Sequence, residues 1–482
     1  MNTVARMIGV LTAVALSGWA STGAAADLAL WPLMPYRVRI VVAVDPEPSL
    51  GPQLEAALCE SLSTRIEATI GAPWNATVSP APPALRRAML RNSAALSSDA
   101  ASLLPAEPEV DKMVLTTVAA AGGGWTVTAR DYDVRTRTLS QAVVRRVWQT
   151  GVLCDAAFDA ILSAFSPLAR IDRVEKNQLF LRVKASGLRP RDPNWTMVRE
   201  GDVFRPILRY NDRQGNPRRV VPARWSFGVV DQASASEFRC HPFSGMRSEL
   251  LTRGRGRVEA LALRVVRPIG ATSLALLAKG GSKTPLAGYD VFAYPPKDKA
   301  AVSWIGRTDG QGRVVIPAGD GLLRMLSIRN GNEVLARLPI VPGLEPRLTV
   351  ELADDAGRLG VEGFAAGLQE ELMELLVRRK ILMMRIGARI EAGQFDAAAD
   401  LLRELRGLPA AEQFASRIRD EEERHASADA PSREKICAML DKARQTIDRS
   451  LDSREIDDWE RRLRNAEAAP EPKNSEQRPT TK

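Results

Sequence analysis

The sequence predicts a multidomain α+β chain: an α/β domain, a small β-barrel, a β-sandwich and carboxy-terminal α-helical hairpins. Three observations carry that prediction. The 482 residues are 45% apolar and 26% charged, a globular composition, and at roughly 100–200 residues per domain the length fits three or four domains. Up to residue 171, β-branched runs alternate with helical periodicities; short strands punctuated by Gly and Asp turns follow. Beyond residue 358, apolar residues recur only at helical spacing.

Residues 1–26 read as a secretory signal. Arg6 supplies the basic region, Met7–Leu16 a short apolar run, and Ala24-Ala25-Ala26 a small-residue cleavage site. The run is short of the roughly 20 residues a span needs. The mature protein is therefore expected to be exported, periplasmic or secreted, with no transmembrane span and no nucleic acid as partner.

In the first domain, residues 30–171, Arg37–Val44 (RVRIVVAV) is a buried strand bounded by turn residues. Leu54, Leu58, Leu62 and Ile66 then mark one helix face. Trp74–Val78 is a second strand, Pro82–Ala100 a helix and Lys112–Val118 a third strand. Gly122-Gly123-Gly124 turns the chain into a fourth strand, Trp125–Val134. Val143–Phe165 is expected as one long amphipathic helix, giving the order β-α-β-α-β-β-α.

The second domain, residues 172–268, holds short strands at Leu179–Val183, Val198–Tyr210, Arg224–Val230, Glu237–His241 and Val258–Val266, which suggests a small barrel or sandwich. The third, residues 274–353, opens at Leu286–Tyr294. It has a hairpin at Trp304–Ile316 with Asp309–Gly312 at its tip, and closes with three more strands. Residues 358–468 are helical, with Leu368, Leu372 and Leu375 on an apolar stripe offered for helix-mediated protein contact. Ser432 is placed as a helix N-cap. Residues 469–482 are polar and expected to be disordered.

Four stretches resemble known families. The element order, with the strand D-Y-D-V-x-T (Asp131–Thr136) and a closing helix before a basic linker, resembles the amino-terminal α/β domain of TolB and related domains of curli-secretion and flagellar accessory proteins, over residues 36–171. That resemblance implies a binding module. E-G-D-V-F (Glu200–Phe204) before a polar hairpin looks like an SH3-like β-module. P-L-A-G-Y-D-V (Pro285–Val291) with T-D-G-Q-G-R-V-V-I-P (Thr308–Pro317) is similar to the carboxypeptidase regulatory-like, prealbumin-type sandwich, which implies a structural or carbohydrate-contacting spacer. A-G-Q-F-D-A-A-A-D-L-L-R-E-L (Ala392–Leu405) resembles one tetratricopeptide hairpin, and one copy is short of an array.

The residue inventory points away from the common catalytic classes. There is no G-x-S-x-G and no H-E-x-x-H, and only His241 and His425 are present. Gly281-Ser282-Lys283-Thr284 has the wrong spacing for a phosphate loop. Gly122-Gly123-Gly124 lacks the spaced third glycine of a dinucleotide site. Ser432-Arg433-Glu434-Lys435 matches S-x-x-K without its companion motifs. Cys240 and His241 are adjacent on a strand and so face opposite ways. Asp131 and Asp133 share a strand face, where turn-forming duty is the simpler reading. No catalytic residue, metal site or cofactor is assigned. Cys59 and Cys154 form the disulfide candidate among the four cysteines, against the alternative that Cys154 is a buried helix thiol.

Charge carries the functional expectation. Lys plus Arg is 67 against 58 Asp plus Glu, a net of +9. Residues 182–267 alone hold 18 Lys/Arg against 8 Asp/Glu, and all but Lys184 of the 18 are Arg. Guanidinium groups make bidentate contacts with carboxylate and phosphate. Arg189, Arg191, Arg213, Arg218, Arg219, Arg253, Arg255 and Arg257 are therefore the candidate contacts for an anionic cell-wall polymer or envelope protein. The expectation is a non-enzymatic exported envelope protein acting in assembly or scaffolding. The alternatives are a periplasmic or secreted hydrolase with an unrecognised carboxylate site, and a purely structural spacer.

Overall fold

The computed structural model describes residues 30–47, 50–51, 53–93, 96, 109–175, 177–234, 237–245, 258–279, 283–331, 333–426, 430–452 and 454–468. The expected signal, the polar tail, and Arg253, Arg255 and Arg257 lie outside the described residues. The chain divides into two compact units: residues 1–277, 282–329 and 333–352 form the first, and 278–281, 330–332 and 353–482 the second.

The first unit begins with a mixed six-stranded sheet. β1 (Tyr36–Val44) pairs parallel to β2 (Trp74–Pro80) and β3 (Lys112–Ala121). β4 (Gly124–Asp133) returns antiparallel to β3 and carries β5 (Thr138–Leu139) and β6 (Val143–Val147) along its far edge. Helices α1 (Leu54–Thr69), α2 (Pro83–Asn92) and α3 (Leu153–Ala164) complete it. Ile40, Val42, Leu62, Ile66, Val114, Phe158 and Ile161 meet in one core. Val41, Leu85, Met89 and Leu115 fill a second. The β-branched β1 is buried on both faces, as a central strand in a covered sheet must be.

The expected long helix over Val143–Phe165 is corrected to a strand followed by a helix. Val143 and Val147 are buried and Val144, Arg145 and Arg146 are not, a spacing that fits a helix as well, but residues 143–147 pair antiparallel with Trp125–Ala129. The β-branched run thus completes a ladder with β4 instead of extending α3. The helix expected over Pro82–Ala100 is the shorter α2 within the described residues.

A second sheet has the order β10-β9-β11-β12-β8-β7-β13, and a β9–β13 pairing closes six of its strands into an antiparallel barrel. Its strands are β7 (Leu168–Glu175), β8 (Gln178–Val183), β9 (Val203–Asn211), β10 (Pro217–Pro222), β11 (Ser226–Ala233), β12 (Phe238–Ser244) and β13 (Val258–Arg264). β10 pairs only with β9 and is an edge strand. Arg170, Asp172, Arg173 and Glu175 hid the first strand of the β7–β8 hairpin from the sequence reading; Ala169, Leu179, Leu181 and Val183 are all in the barrel core.

The sandwich follows. One sheet is β17-β14-β20 and the other β16-β15-β18-β19. Their ranges are β14 Thr272–Ala278, β15 Asp290–Tyr294, β16 Ser303–Arg307, β17 Arg313–Ile316, β18 Arg324–Asn330, β19 Glu333–Ile340 and β20 Arg347–Leu352. Buried residues alternate along β14, where Leu274 and Leu276 point inward. The expected hairpin over Trp304–Ile316 is corrected: β16 pairs with β15 and β17 with β14, so the Asp309–Gly312 turn carries the chain between sheets.

The second unit is helical: α4 (Ala356–Glu391), α5 (Phe395–Arg406), α6 (Ala411–Arg424), α7 (Ala430–Ser450) and α8 (Arg454–Glu467). Ser432 lies inside α7 and does not cap it. Leu368, Leu372 and Leu375 are buried with Phe414, Ile418, Ile436 and Leu440. The contact expected through these three leucines is therefore made within the chain, which covers them with α6 and α7. Among the described residues, no helix is long and apolar enough to cross a membrane.

Candidate functional site: arginines around an edge strand

The β9–β10 hairpin is built by its turn. Asp212 accepts the Gln214 and Asn216 backbone N–H groups at 2.9 and 2.8 Å, and the Asn216 N–H contributes most to holding this carboxyl below its usual range. Asp212 is committed to the turn, as expected of a carboxylate in an Asx turn. The Arg213, Arg218 and Arg219 side chains around it are exposed.

Arg218 and Arg219 line a cleft of about 280 Å³ together with Thr136, Arg137, Thr138 and Val220. Arg137 sits at φ +52°, a left-handed conformation uncommon for a side-chain-bearing residue. A larger cleft of about 380 Å³ also borders β10. Val221, Pro222, Arg224, Trp225 and Phe227 line it from the barrel, and Ile340, Leu344, Glu345 and Arg347 from the sandwich. Trp225 too has φ +52°. Backbone in this region costs on the order of 1–3 kcal/mol where the surroundings enforce it, and both cases flank the same strand.

The ion pairs separate these arginines from the rest. Glu259 accepts Arg135 at 2.9 Å and Arg209 at 3.2 Å. Arg182 meets Asp172 at 3.0 Å, Arg173 meets Glu237 at 2.7 Å, and Arg205 pairs with Glu345. Arg137, Arg213, Arg218, Arg219, Arg224 and Arg347 are exposed, and none of them is among the ion pairs of the described residues. Five of these six, Arg137, Arg218, Arg219, Arg224 and Arg347, line the two clefts.

No family model matches the chain, and no curated protein matches it. Among solved structures, TolB from Acinetobacter baumannii aligns at 12% identity with a TM-score of 0.15, over 66% of this chain and 95% of the TolB chain. The Bacillus anthracis TIE protein aligns at 10% identity with a TM-score of 0.14, over 44% of this chain and 46% of its own. Both likenesses are distant.

The sequence-derived arginines do not form one group. Arg213, Arg218 and Arg219 belong to the β9–β10 hairpin. Arg191 instead pairs with Glu67 and its N–H bonds Ile70 O at 3.3 Å, which latches the loop after β8 to the end of α1. Arg189 is exposed on that same loop. Arg137, Arg224 and Arg347 were missed because they lie in other segments of the chain, and the fold alone brings them to β10.

The cysteine pairing is also corrected. Cys59 and Cys154 are free thiols. Cys154 Sγ lies 2.9 Å from Ser61 Oγ. Ser61 is two residues beyond Cys59 on α1, roughly 200° around a helix, so the face meeting Cys154 is not the one carrying Cys59. Burial pushes the Cys59 thiol up to about 11. Cys240 is buried on β12 while His241 stacks edge-on against Phe243, 4.7 Å between ring centres, so the two residues do face apart.

Asp131 and Asp133 are buried with Lys112, whose Nζ lies 3.1 and 2.9 Å from their carboxylates. The lysine side chain is fully buried and the aspartates nearly so. Asp133 also accepts the Thr136 N–H and hydroxyl at 2.7 and 2.6 Å. Asp131 accepts the Ser166 N–H at 2.8 Å through one oxygen, while its Oδ1 is buried without a partner. Desolvation accordingly raises the Asp131 carboxyl to about 6. The ion pairs with both aspartates raise Lys112 in spite of its burial. The arrangement is a closed ion triad that ties β3 and β4 to the start of β7. Among the described residues, no cluster of three or more His, Cys, Asp or Glu is placed to hold a metal.

Proposed function

We propose that this chain is a non-enzymatic exported envelope protein that binds an anionic polymer of the cell envelope around β10, in assembly or scaffolding. In this reading the α/β part is a TolB-amino-terminal-like binding module, and the sandwich is a carboxypeptidase regulatory-like spacer that lends one wall to the site. The observation that carries the proposal is the set of exposed arginines at β10 with no carboxylate at ion-pair distance among the described residues, Arg218 feeling the turn carboxylate Asp212 only at longer range. A chain that merely favours Arg as its surface cation places it beside carboxylates as readily as away from them. Arg173, Arg182, Arg205 and Arg209 of the same unit are all paired. Guanidinium groups left open beside clefts suit phosphate or carboxylate groups repeated along a polymer.

The test is co-sedimentation of the full-length protein with purified peptidoglycan and with an acidic polysaccharide, at low and high salt. Pelleting should occur at low salt and fall with ionic strength, because exposed charges are screened. The triple variant Arg137→Ala, Arg218→Ala, Arg219→Ala should stay in the supernatant, whereas Arg189→Ala should pellet like the parent. Equal pelleting of the triple variant and the parent removes β10 as the site. Absence of pelleting with either polymer removes the polymer reading.

A further inference from the structure

The helix α4 has two apolar faces, and only one is used. Leu368, Leu372 and Leu375 cover the core with α6 and α7, and Leu382 and Ile386 cover a second core with Leu402, Leu405 and Leu463. At about 100° per residue, Met373, Val377, Ile381 and Met384 fall within a sector of roughly 80° on the opposite side. Their exposures are 62, 56, 41 and 62%. Four large apolar side chains in one row, each at least two-fifths exposed, are not the scattered single hydrophobics of an ordinary surface.

The charges beside this row specify what covers it. Glu374, Arg385 and Arg378 lie along one flank of the row and Glu370 stands within its sector, just before Met373, all four exposed. The two acids precede Val377 and the two bases follow it. A two-fold axis at Val377 that runs a second α4 antiparallel to the first sets Glu374 near Arg378 of the second copy, and Glu370 near Arg385 of the second copy. Met373 then meets Ile381 of the second copy, and Val377 meets itself. A parallel pairing opposes Glu370 to Glu370 and Arg385 to Arg385, with like charges in contact. Arg378 already pairs with Glu404 at 3.0 Å, but both side chains are about half exposed or more, so this pair exchanges partners at little cost.

We propose that α4 is a self-association element: a second copy of this chain packs antiparallel on Met373, Val377, Ile381 and Met384, with Glu370 and Glu374 facing Arg385 and Arg378 across the two-fold axis. The interface is isologous, as closed dimers require. It is independent of β10 and of what β10 binds.

The experiment is the mass of the full-length protein by sedimentation equilibrium across a concentration series. A monomer–dimer equilibrium is expected. Val377→Glu should shift it to monomer, with far-ultraviolet dichroism and the melting temperature of dilute protein unchanged, because the side chain is exposed in the monomer. Glu370→Arg should weaken the dimer at least several-fold, and Glu370→Arg with Arg385→Glu should restore it. A chain that stays monomeric to its solubility limit overturns the proposal, as does a dimer that survives Val377→Glu. A dimer that Glu370→Arg strengthens overturns the antiparallel arrangement.

Discussion

Lys112 is a cation with no route to water, held by two carboxylates and by the Ser166 carbonyl. Removing one member of a buried ion group leaves the others charged and unpaired, at a cost of about 3–5 kcal/mol. Lys112→Met is therefore expected to lower the thermal stability of the first unit severely, as a melting curve followed by near-ultraviolet dichroism will report. The pH response comes from the other end of the triad. The fold raises the Asp131 carboxyl to about 6, above the usual 3.9 or so of an aspartate in an unfolded chain. The native state thus holds this proton more tightly. The stabilisation from protonating Asp131 is complete below the unfolded value and is lost as pH rises through 6. The parent should melt higher at pH 5 than at pH 7.5, and Asp131→Asn should flatten that difference. An Asp131→Asn variant that keeps the parent's difference between pH 5 and pH 7.5 would remove Asp131 as the source. Sequence reading located Asp131 and Asp133 on one strand face but missed Lys112. In K-M-V-L-T-T-V the lysine reads as the polar first residue of a strand, and only the pairing of Lys112 with Asp133 across β3 and β4 puts it inside.

At the scale of elements, strands read from β-branched composition and turn residues were the legible part. β1, β3, β4 and the sandwich strands β15 and β18 to β20 fall near where the pattern puts them, whereas β14 was not read. Failures came where one segment satisfied two periods. Val143–Val147 carries apolar residues at positions that fit a helix continuing into α3, and it is a strand because the free edge of β4 takes up its backbone hydrogen bonds. The arginine site was half legible for a related reason: local charge excess marks the hairpin, but Arg137 and Arg347 reach it only through tertiary structure. The Asp309–Gly312 turn makes an element-scale prediction. Asp309 accepts the Gln311 and Arg313 N–H groups at 2.9 and 2.8 Å, and Gly312 O accepts the Leu276 N–H at 2.8 Å. Gly312 has φ +68°, and a Cβ there would lie 2.5 Å from Leu276 O and 3.0 Å from Leu286 N. Both neighbours are backbone and cannot rotate away. The left-handed conformation alone costs an alanine about 1–2 kcal/mol. Gly312→Ala should therefore destabilise by about 2 kcal/mol or more, whereas Gly310→Ala, with open space around it, should be nearly silent in the same urea titration.

At the scale of the whole molecule, the net +9 is the sum of parts that behave differently. Within residues 182–267, Arg182, Lys184, Arg191, Arg205, Arg209 and Arg264 are held in ion pairs, and Arg213, Arg218, Arg219 and Arg224 stand exposed around β10. The hydrophobic cores divide as sharply. Those of the sheet and barrel contain only residues of the first unit, and those joining α4 to its neighbours contain only residues of the second. Cooperative unfolding follows shared cores, because a core loses its packing as one body. Two calorimetric transitions are therefore expected for the full chain. Lys112→Met and the change from pH 7.5 to 5 should move one of them. Ile386→Ala removes a fully buried side chain of the second unit, at a cost of about 2–5 kcal/mol, and should move the other. If Ile386→Ala instead lowers a single transition that Lys112→Met also lowers, the units unfold together and the division of cores does not set the cooperativity.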